Sequence, residues 1–317
     1  FKSDSFSLLY YPSPITPPDN HPSLYILPFS LDVQTYTHTR IQRGRKAEIS
    51  MFFVDAKRAE AIQFKKPVSA FLTSKLSKEA AKASAASIEK LQKLRDAICV
   101  GTLDSSHIPG ILTYLRHAEA AASKIKLGKG VKECNVKFKW SDTVQKVRAS
   151  KAKGLRSWEY EQASVVFNLG SAYSYSGSTC NLASERGIQD AAKANLNAAA
   201  IFAYVRDECK HAPDEILDME QDNLNFLIEI HTTQAHECYY LKASLDGTFD
   251  KIPKLGASLA AGVFNSYARA FKSADTREGK ANYDKNLSKM LSVKRSFYEG
   301  EMWNYIAKGF IKGRKYG

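Results

Sequence analysis

Cysteine is scarce in this chain and poorly placed for cross-linking. Its five cysteines, Cys99, Cys134, Cys180, Cys209 and Cys238, are odd in number, scattered, and form no C-x-x-C pair. That usage excludes a disulfide framework and fits reduced thiols of the cytosol. Long apolar runs are missing too: none reaches the roughly 18 residues a membrane span requires. The first residues lack the basic-then-apolar layout of a secretory signal. Catalytic signatures are equally short. There is no G-x-S-x-G elbow and no phosphate-binding loop, and Gly128-Lys129-Gly130 is too brief to cradle a phosphate. His231 and His236 stand five apart, so they do not share a helix face as the two histidines of H-E-x-x-H do. No metal, cofactor or small-molecule substrate is therefore expected, and the enzyme class has no residue to stand on. Asn286-Leu287-Ser288 is a glycosylation sequon, but nothing else points to secretion.

What is present is a helical chain of uneven charge. Its 317 residues carry a net charge of +13 and 44% apolar residues, enough for a sizeable core. Residues 49–156 hold a balance of +13, residues 157–250 one of −10, and residues 251–317 one of +9. Such bipolarity suggests faces with different partners, or solvated helix faces of unequal sign. Nucleic acid is disfavoured by the acidic middle and by aromatics that lie at core spacing, not interleaved with basic residues. The basic side chains are densest at Lys146, Arg148, Lys151, Lys153 and Arg156, a loop or second strand that could touch an acidic membrane surface weakly and peripherally. The acidic run Asp214, Glu215, Asp218, Glu220 and Asp222 reads as a solvated first helical turn, favoured by the helix dipole.

Residues 1–48, with six prolines and many Ser, Thr and Tyr, show no helical period and read as a disordered leader. Ile49 to Val54 reads as an edge strand. Asn135 to Asp142 alternates, with Val136, Phe138 and Trp140 on one face and Lys137 and Lys139 on the other, as a half-buried strand does. Pro67 suits the first turn of a helix. The spacing predicts further helices over 78–98, 108–127, 157–177, 183–211, 215–244, 254–273 and 282–311. Long helices with short connections pack as antiparallel hairpins, and stacked hairpins make a solenoid. The fold class expected is mainly α, with tetratricopeptide-like helical hairpins and a small β-sheet near the N-terminus.

Two stretches are the most specific. Trp158 to Ser174 contains Glu161-Gln162-Ala163-Ser164-Val165-Val166-Phe167-Asn168-Leu169-Gly170-Ser171-Ala172, and Gln234 to Ala243 reads Gln-Ala-His-Glu-Cys-Tyr-Tyr-Leu-Lys-Ala. Together they resemble the ALIX-like Bro-one (BRO) domain family, which pairs an E-x-A-x-V-L-F-N-x-x-A-x-x-S helix with a later Q-A-Q-E-x-x-x-x-K-A helix. His236 takes the place of the second Gln. Phe52–Leu76, Asn135–Asp142, Leu182–Val205 and Lys254–Lys272 keep the family's order. The resemblance implies a boomerang-shaped BRO domain over 49–317, continuing in the family beyond the point where this chain stops. It also implies a non-enzymatic, cytoplasmic adaptor of the ESCRT pathway, recruited to endosomes for multivesicular body sorting. The implied partner is the C-terminal amphipathic helix of the filament-forming ESCRT-III subunit. Carried over residue by residue, the family's apolar patch falls on Tyr239, Ile252 and then Gly256, with Leu255 beside it and Leu259 one turn on. Lys242 matches the family's lysine, and Ile188 would border the groove. A pH-signalling adaptor using the same surface is the alternative within the family, and a hydrolase with a split site is the alternative outside it. His236 is expected to be buried and hydrogen-bonded near Glu237 or a neighbouring helix, since a neutral imidazole both donates and accepts as the glutamine would.

Overall fold

An extended segment, Met51 to Glu60, opens the described part of the chain and runs along the helices that succeed it. The computed structural model describes residues 51–99, 101–130, 133–144, 151–209, 216–274 and 285–313. The chain divides into two units, residues 1–49 and 50–317. The leader, Lys146, Arg148, Asp214 and Glu215 lie outside the described residues.

The described residues form ten helices: α1 Lys65–Lys75, α2 Lys78–Ala83, α3 Ala85–Ile98, α4 Ile108–Ala122, α5 Trp158–Ser178, α6 Glu185–Glu208, α7 Gln221–Leu245, α8 Thr248–Lys251, α9 Pro253–Ala274 and α10 Lys285–Lys312. Each of the long ones, from α5 on, packs on its neighbour in sequence. Local chemistry explains the starts. Ser77, Ser157 and Ser184 each accept a hydrogen bond from a first-turn N–H, at Ala80, Tyr160 and Gly187 respectively. Pro67 stands in the first turn of α1 and Pro253 opens α9, where a missing N–H costs nothing. The span 78–98, expected as one helix, is divided at Ser84, which ends α2 and begins α3.

Helix α5 is buried on nearly every side, as a helix enclosed by others must be. Trp158, Val165 and Leu169 enter one core with Phe64, Tyr114 and Trp140. Ala163 and Phe167 enter a second core with Phe202, Phe226 and Tyr267. Small residues let α6 come close: a Cβ on Gly170 would lie 2.8 Å from the Phe202 ring. A third, smaller core gathers Met51, Ile188, Ala191, Ala192 and Cys238.

The extended segment is not the edge strand the sequence suggested. Met51, Val54 and Lys57 are buried, a period of three, whereas a half-buried strand shows a period of two. Three residues per turn is the period of polyproline II, which makes no hydrogen bonds of its own. The helices supply them. Gln234 accepts from the Phe52 N–H at 2.5 Å and donates to the Phe52 carbonyl at 3.1 Å. Asn168 does the same to Lys57, at 2.7 and 2.9 Å. Between them Ser174 accepts from the Val54 N–H and Ser171 donates to the Asp55 carbonyl. The Lys57 ammonium then reaches the carboxylate of Asp218 at 2.5 Å, both fully buried. Asp218 was expected in a solvated helical turn; it instead sits in a short 3-10 turn, Leu217–Met219, and also accepts from the Thr143 N–H.

The second expected strand keeps its alternation without joining a ladder. Val136, Phe138 and Trp140 are buried. Pairing occurs as isolated bridges, Ala59 with Trp140, Phe138 with Leu155, and Leu127 with Cys134. The small β-sheet is thus replaced, among the described residues, by single bridges; between Phe52 and Lys57, helix side chains occupy hydrogen-bonding groups that a sheet would use.

Replacing Asn168 by Ala strands the buried Lys57 N–H and carbonyl together. Each stranded group costs about 1–3 kcal/mol, so a total loss of roughly 2–6 kcal/mol is expected in urea unfolding. A loss below about 1 kcal/mol would show that the clasp does not hold the segment.

Candidate docking surface

Helix α7 carries the Gln-Ala-His-Glu stretch, and its helical period sorts the stretch into two faces. Gln234, Ala235, Glu237, Cys238 and Tyr240 are buried, whereas His236 and Tyr239 face outward. Glu237 is the inward anchor. Its carboxylate accepts from the Tyr267 hydroxyl at 2.5 Å, the Lys294 ammonium at 2.7 Å and the Tyr298 hydroxyl at 2.9 Å. One residue thereby joins α7, α9 and α10. Burial, reinforced by the charge of Glu237, drives both tyrosine pKa values far above the ordinary range.

This anchor fixes how α9 lies against α7, and three contacts give the register. Glu237 meets Tyr267, His236 lies 3.4 Å from Ser266, and Glu229 pairs with Arg269 at 3.0 Å. The helices run antiparallel, so Tyr239 comes level with the stretch 259–265 of α9.

On the outward side the expected apolar residues are largely accessible. Tyr239 is 49% exposed, Ile252 52% and Leu255 38%, and Leu259 is half-buried beside them. The carry-over onto Gly256 is corrected: Gly256 is buried, and a Cβ there would lie 2.8 Å from the Tyr305 ring. Leu255, one residue earlier, faces out instead. Ile188, expected at the border of the groove, is buried in the third core and reaches no surface. Lys242 pairs with Glu185 of α6 at 3.2 Å, both ends solvated, a contact worth about 0–1 kcal/mol and easily exchanged for another carboxylate.

The expectation for His236 holds in part: its ring lies 3.4 Å from Ser266 of the neighbouring α9, but the residue is exposed where burial was expected. Partial desolvation of its ring, with Arg269 nearby, lowers its pKa while Glu229 opposes the shift. The buried histidine is His231. Its Nδ1 lies 2.8 Å from the Asn195 Oδ1, which also accepts from Gln234, so Nδ1 carries the proton. Its Nε2 has no hydrogen-bond partner among the described residues, and its ring stacks on Phe202. Protonation would put a second N–H into this apolar setting, and burial lowers the pKa to about 3.

Of the basic segment, Lys151 and Lys153 are exposed, and Arg156 is half-buried with its Nε donating to Asn135. Leu155 between them is tied to Phe138. Among the described residues no group of three His, Cys, Asp or Glu side chains could hold a metal ion, and no helix is long and apolar enough to cross a membrane.

A further buried carboxylate escaped the sequence reading. Glu161 accepts from Arg95 at 2.8 Å, from the Tyr114 hydroxyl at 2.7 Å and from the Trp140 indole at 2.7 Å. The signal was there: positions 158, 161, 165, 169 and 172 form one helical stripe, and Glu161 is its single charged member.

The model of the BRO1-like domain family matches residues 51–317. ALG-2 interacting protein X of Dictyostelium discoideum is 24% identical over 269 residues, which is 84% of this chain and 33% of that protein. Rhophilin-2-B of Xenopus laevis is 23% identical over 279 residues, 87% of this chain and 39% of that protein. Tyrosine-protein phosphatase non-receptor type 23 of Homo sapiens is 25% identical over 270 residues, 84% of this chain and 16% of that protein. The chain therefore spans well under half the length of these curated relatives. Among solved structures, the ALIX BRO1 CHMP4C complex superposes with a TM-score of 0.71 at 22% identity, covering 84% of this chain and 75% of that one. A Bro1 domain structure described as a basis for endosomal targeting gives 0.71 at 18% identity, covering 84% and 72%. At these identities the structural likeness establishes the fold.

His231 should give folding a distinct acid sensitivity. Its folded pKa lies below the ordinary value of 6.5, so both states are neutral above that pH. Below it the unfolded chain takes up a proton that the folded chain refuses until about pH 3. Stability is thus full above about pH 6.5 and falls by up to ~1.4 kcal/mol per pH unit on acidification. Replacing His231 by Asn should reduce the stability difference between pH 7 and pH 5 by about 2 kcal/mol in urea unfolding. An unchanged difference would contradict the buried neutral ring.

Proposed function

The chain belongs to the BRO1-like domain family, and from that premise we propose a non-enzymatic adaptor that docks an amphipathic helix of an ESCRT-III subunit at endosomes. The docking site in this reading is the outward surface of α7 and α9 with the α8 turn between them. The observation that carries it is the exposed apolar group Tyr239, Ile252 and Leu255, with Leu259 alongside, held in place by the inward contacts of Glu237. Apolar anchors at helical spacing on a rigid groove are what a docked amphipathic helix needs. Lys242 can turn from Glu185 to an acidic group on the partner. The relative in complex with CHMP4C supports this choice of partner. The pairwise packing of α5 to α10 in chain order supports reading them as a tetratricopeptide-like solenoid, a scaffold whose surfaces bind peptides.

Docking is tested with a synthetic peptide of the C-terminal helix of CHMP4C by fluorescence anisotropy. Ile252→Asp should weaken binding roughly 5- to 150-fold, the cost of losing one central anchor, about 1–3 kcal/mol. Wild-type affinity in a variant of unchanged circular dichroism would sink the assignment.

Electrostatic adsorption to acidic membrane belongs to the same proposal. Lys151 and Lys153 are exposed, and with Lys146, Arg148 and Arg156 they gather positive charge in one short segment. Each basic residue near an anionic surface contributes about 1 kcal/mol, screened within a Debye length. Co-sedimentation with phosphatidylserine vesicles should be strong at low salt and nearly lost at about 0.5 M, a concentration at which the Debye length is only about 4 Å. Binding that ignores salt would exclude this mode.

A further inference from the structure

Gly262 stands in the middle of α9, exposed, and a Cβ added there would meet nothing within 4 Å. Three other helical glycines have an internal reason, whereas Gly300 of α10 is open in the same way. Gly170 makes room for Phe202, Gly177 for Asn195 and Gly256 for Tyr305. Gly262 makes room for no described residue, and among the described residues the positive-φ glycine is Gly247. A glycine inside a helix weakens it relative to alanine, because the unfolded chain gains freedom and the helix gains no side chain. The intramolecular contacts leave that weakening without compensation.

Its position supplies a use. On α9, Gly262 shares a face with Leu255, Leu259, Ser266 and Arg269, which lie seven and three residues before it and four and seven after. The contacts of Ser266 with His236 and of Arg269 with Glu229 turn this face toward the outer edge of α7. The same register brings Tyr239 level with Gly262. Bare backbone at Gly262 thus lies level with Tyr239 of α7 and on the Leu255 and Leu259 face of α9, with none of these side chains within 4 Å of the Cβ position. Lys242 and Lys254 lie toward the far end of this surface, both at least partly exposed.

We propose that Gly262 is the seat for the bulky apolar anchor of the docked helix, and that it sets how large that anchor can be. The inference rests on the docking surface proposed above and adds a specificity residue to it. A large apolar side chain of the partner lodges over the glycine between Tyr239 and Leu259. The acidic flank of the same helix then faces Lys242 and Lys254. Any side chain at 262 fills the notch and lifts the anchor off the groove floor.

The test uses a substitution that favours the fold. Gly262→Leu and Gly262→Ala, each in the full chain, are compared with wild type for thermal unfolding and for anisotropy with the CHMP4C peptide. Both should unfold at or above the wild-type temperature, since Ala and Leu are better helix formers and the space is open. Gly262→Leu should lose at least about tenfold in affinity, the equivalent of one misplaced anchor, and Gly262→Ala should lose less. If Gly262→Leu binds within about twofold of wild type while Ile252→Asp does not bind, the notch is wrong and the docking surface stands. If both bind as wild type does, the docking surface itself is wrong. Should Gly262→Leu fold poorly, the space is not open and the notch again fails, with Gly262→Ala left as the binding control.

Discussion

Two side-chain amides hold the backbone of one extended segment, and the three cores meet along it. Gln234 clasps the Phe52 peptide group and Asn168 that of Lys57, each through one donated and one accepted hydrogen bond. Met51 enters the small core of α6 and α7, Val54 enters the large core, and Ala56, Ala59 and Ile62 pack on the core of the first helices. An amide is the side chain suited to this task because it offers an N–H pair and a carbonyl in one plane, as a neighbouring strand would. A strand would also need a partner on its next edge. Helices bearing amides need none, so a short extended segment can cross between helices that have no sheet to offer. The asparagine and the glutamine of the two specific sequence stretches owe their places to this clasp.

Buried charge does the same work at a longer range. Glu161, Asp218 and Glu237 are each enclosed, and each accepts from donors on other elements. Glu161 ties α3, α4 and the segment of Trp140 to α5; Asp218 ties Lys57 and Thr143; Glu237 ties α9 and α10 to α7. An apolar contact slides at little cost, whereas a buried carboxylate separated from its cation costs about 3–5 kcal/mol. These pairs therefore do more for register than for net stability. The cation–π contact of Lys294 with Tyr267 adds a second orientation constraint at the same joint.

Much of this was legible in the sequence, and the misses have a common cause. Periodicity located the long helices, with α5 and α9 bounded within one residue at each end and α7 beginning six residues later than expected, and it put Val136, Phe138 and Trp140 on one buried face. Periodicity reports burial and says nothing of partners. Hence Ile49 to Val54 read as a strand: apolar residues there suggested a ladder, and only the three-residue spacing of Met51, Val54 and Lys57 argued otherwise. Asp218 read as solvated because its run is acidic, although the cation that accepts its burial lies at Lys57, 161 residues away. His236 was assigned the buried role by analogy with a glutamine, while His231, five residues earlier, had the apolar neighbours Phe52 and Phe202. The outward set was legible in part. Tyr239 and Ile252 are accessible, but the choice between Leu255 and Gly256 depended on Tyr305, which no local pattern links to α9.

The division of α7 between its two faces shows how such a surface can change its partner without changing its fold. Gln234, Glu237 and Cys238 face inward and fix three elements, while His236, Tyr239 and Lys242, interleaved with them along the helix, make no buried bond. A substitution on the outer face alters what can dock and leaves the clasp and the carboxylate joint untouched. The histidine at 236, where the resembled motif has glutamine, lies on that outer face beside Ser266 and Arg269. Geometry is thus set by the inner residues and chemistry by the outer ones, and the helix period of 3.6 keeps the two sets interleaved in sequence yet apart in space.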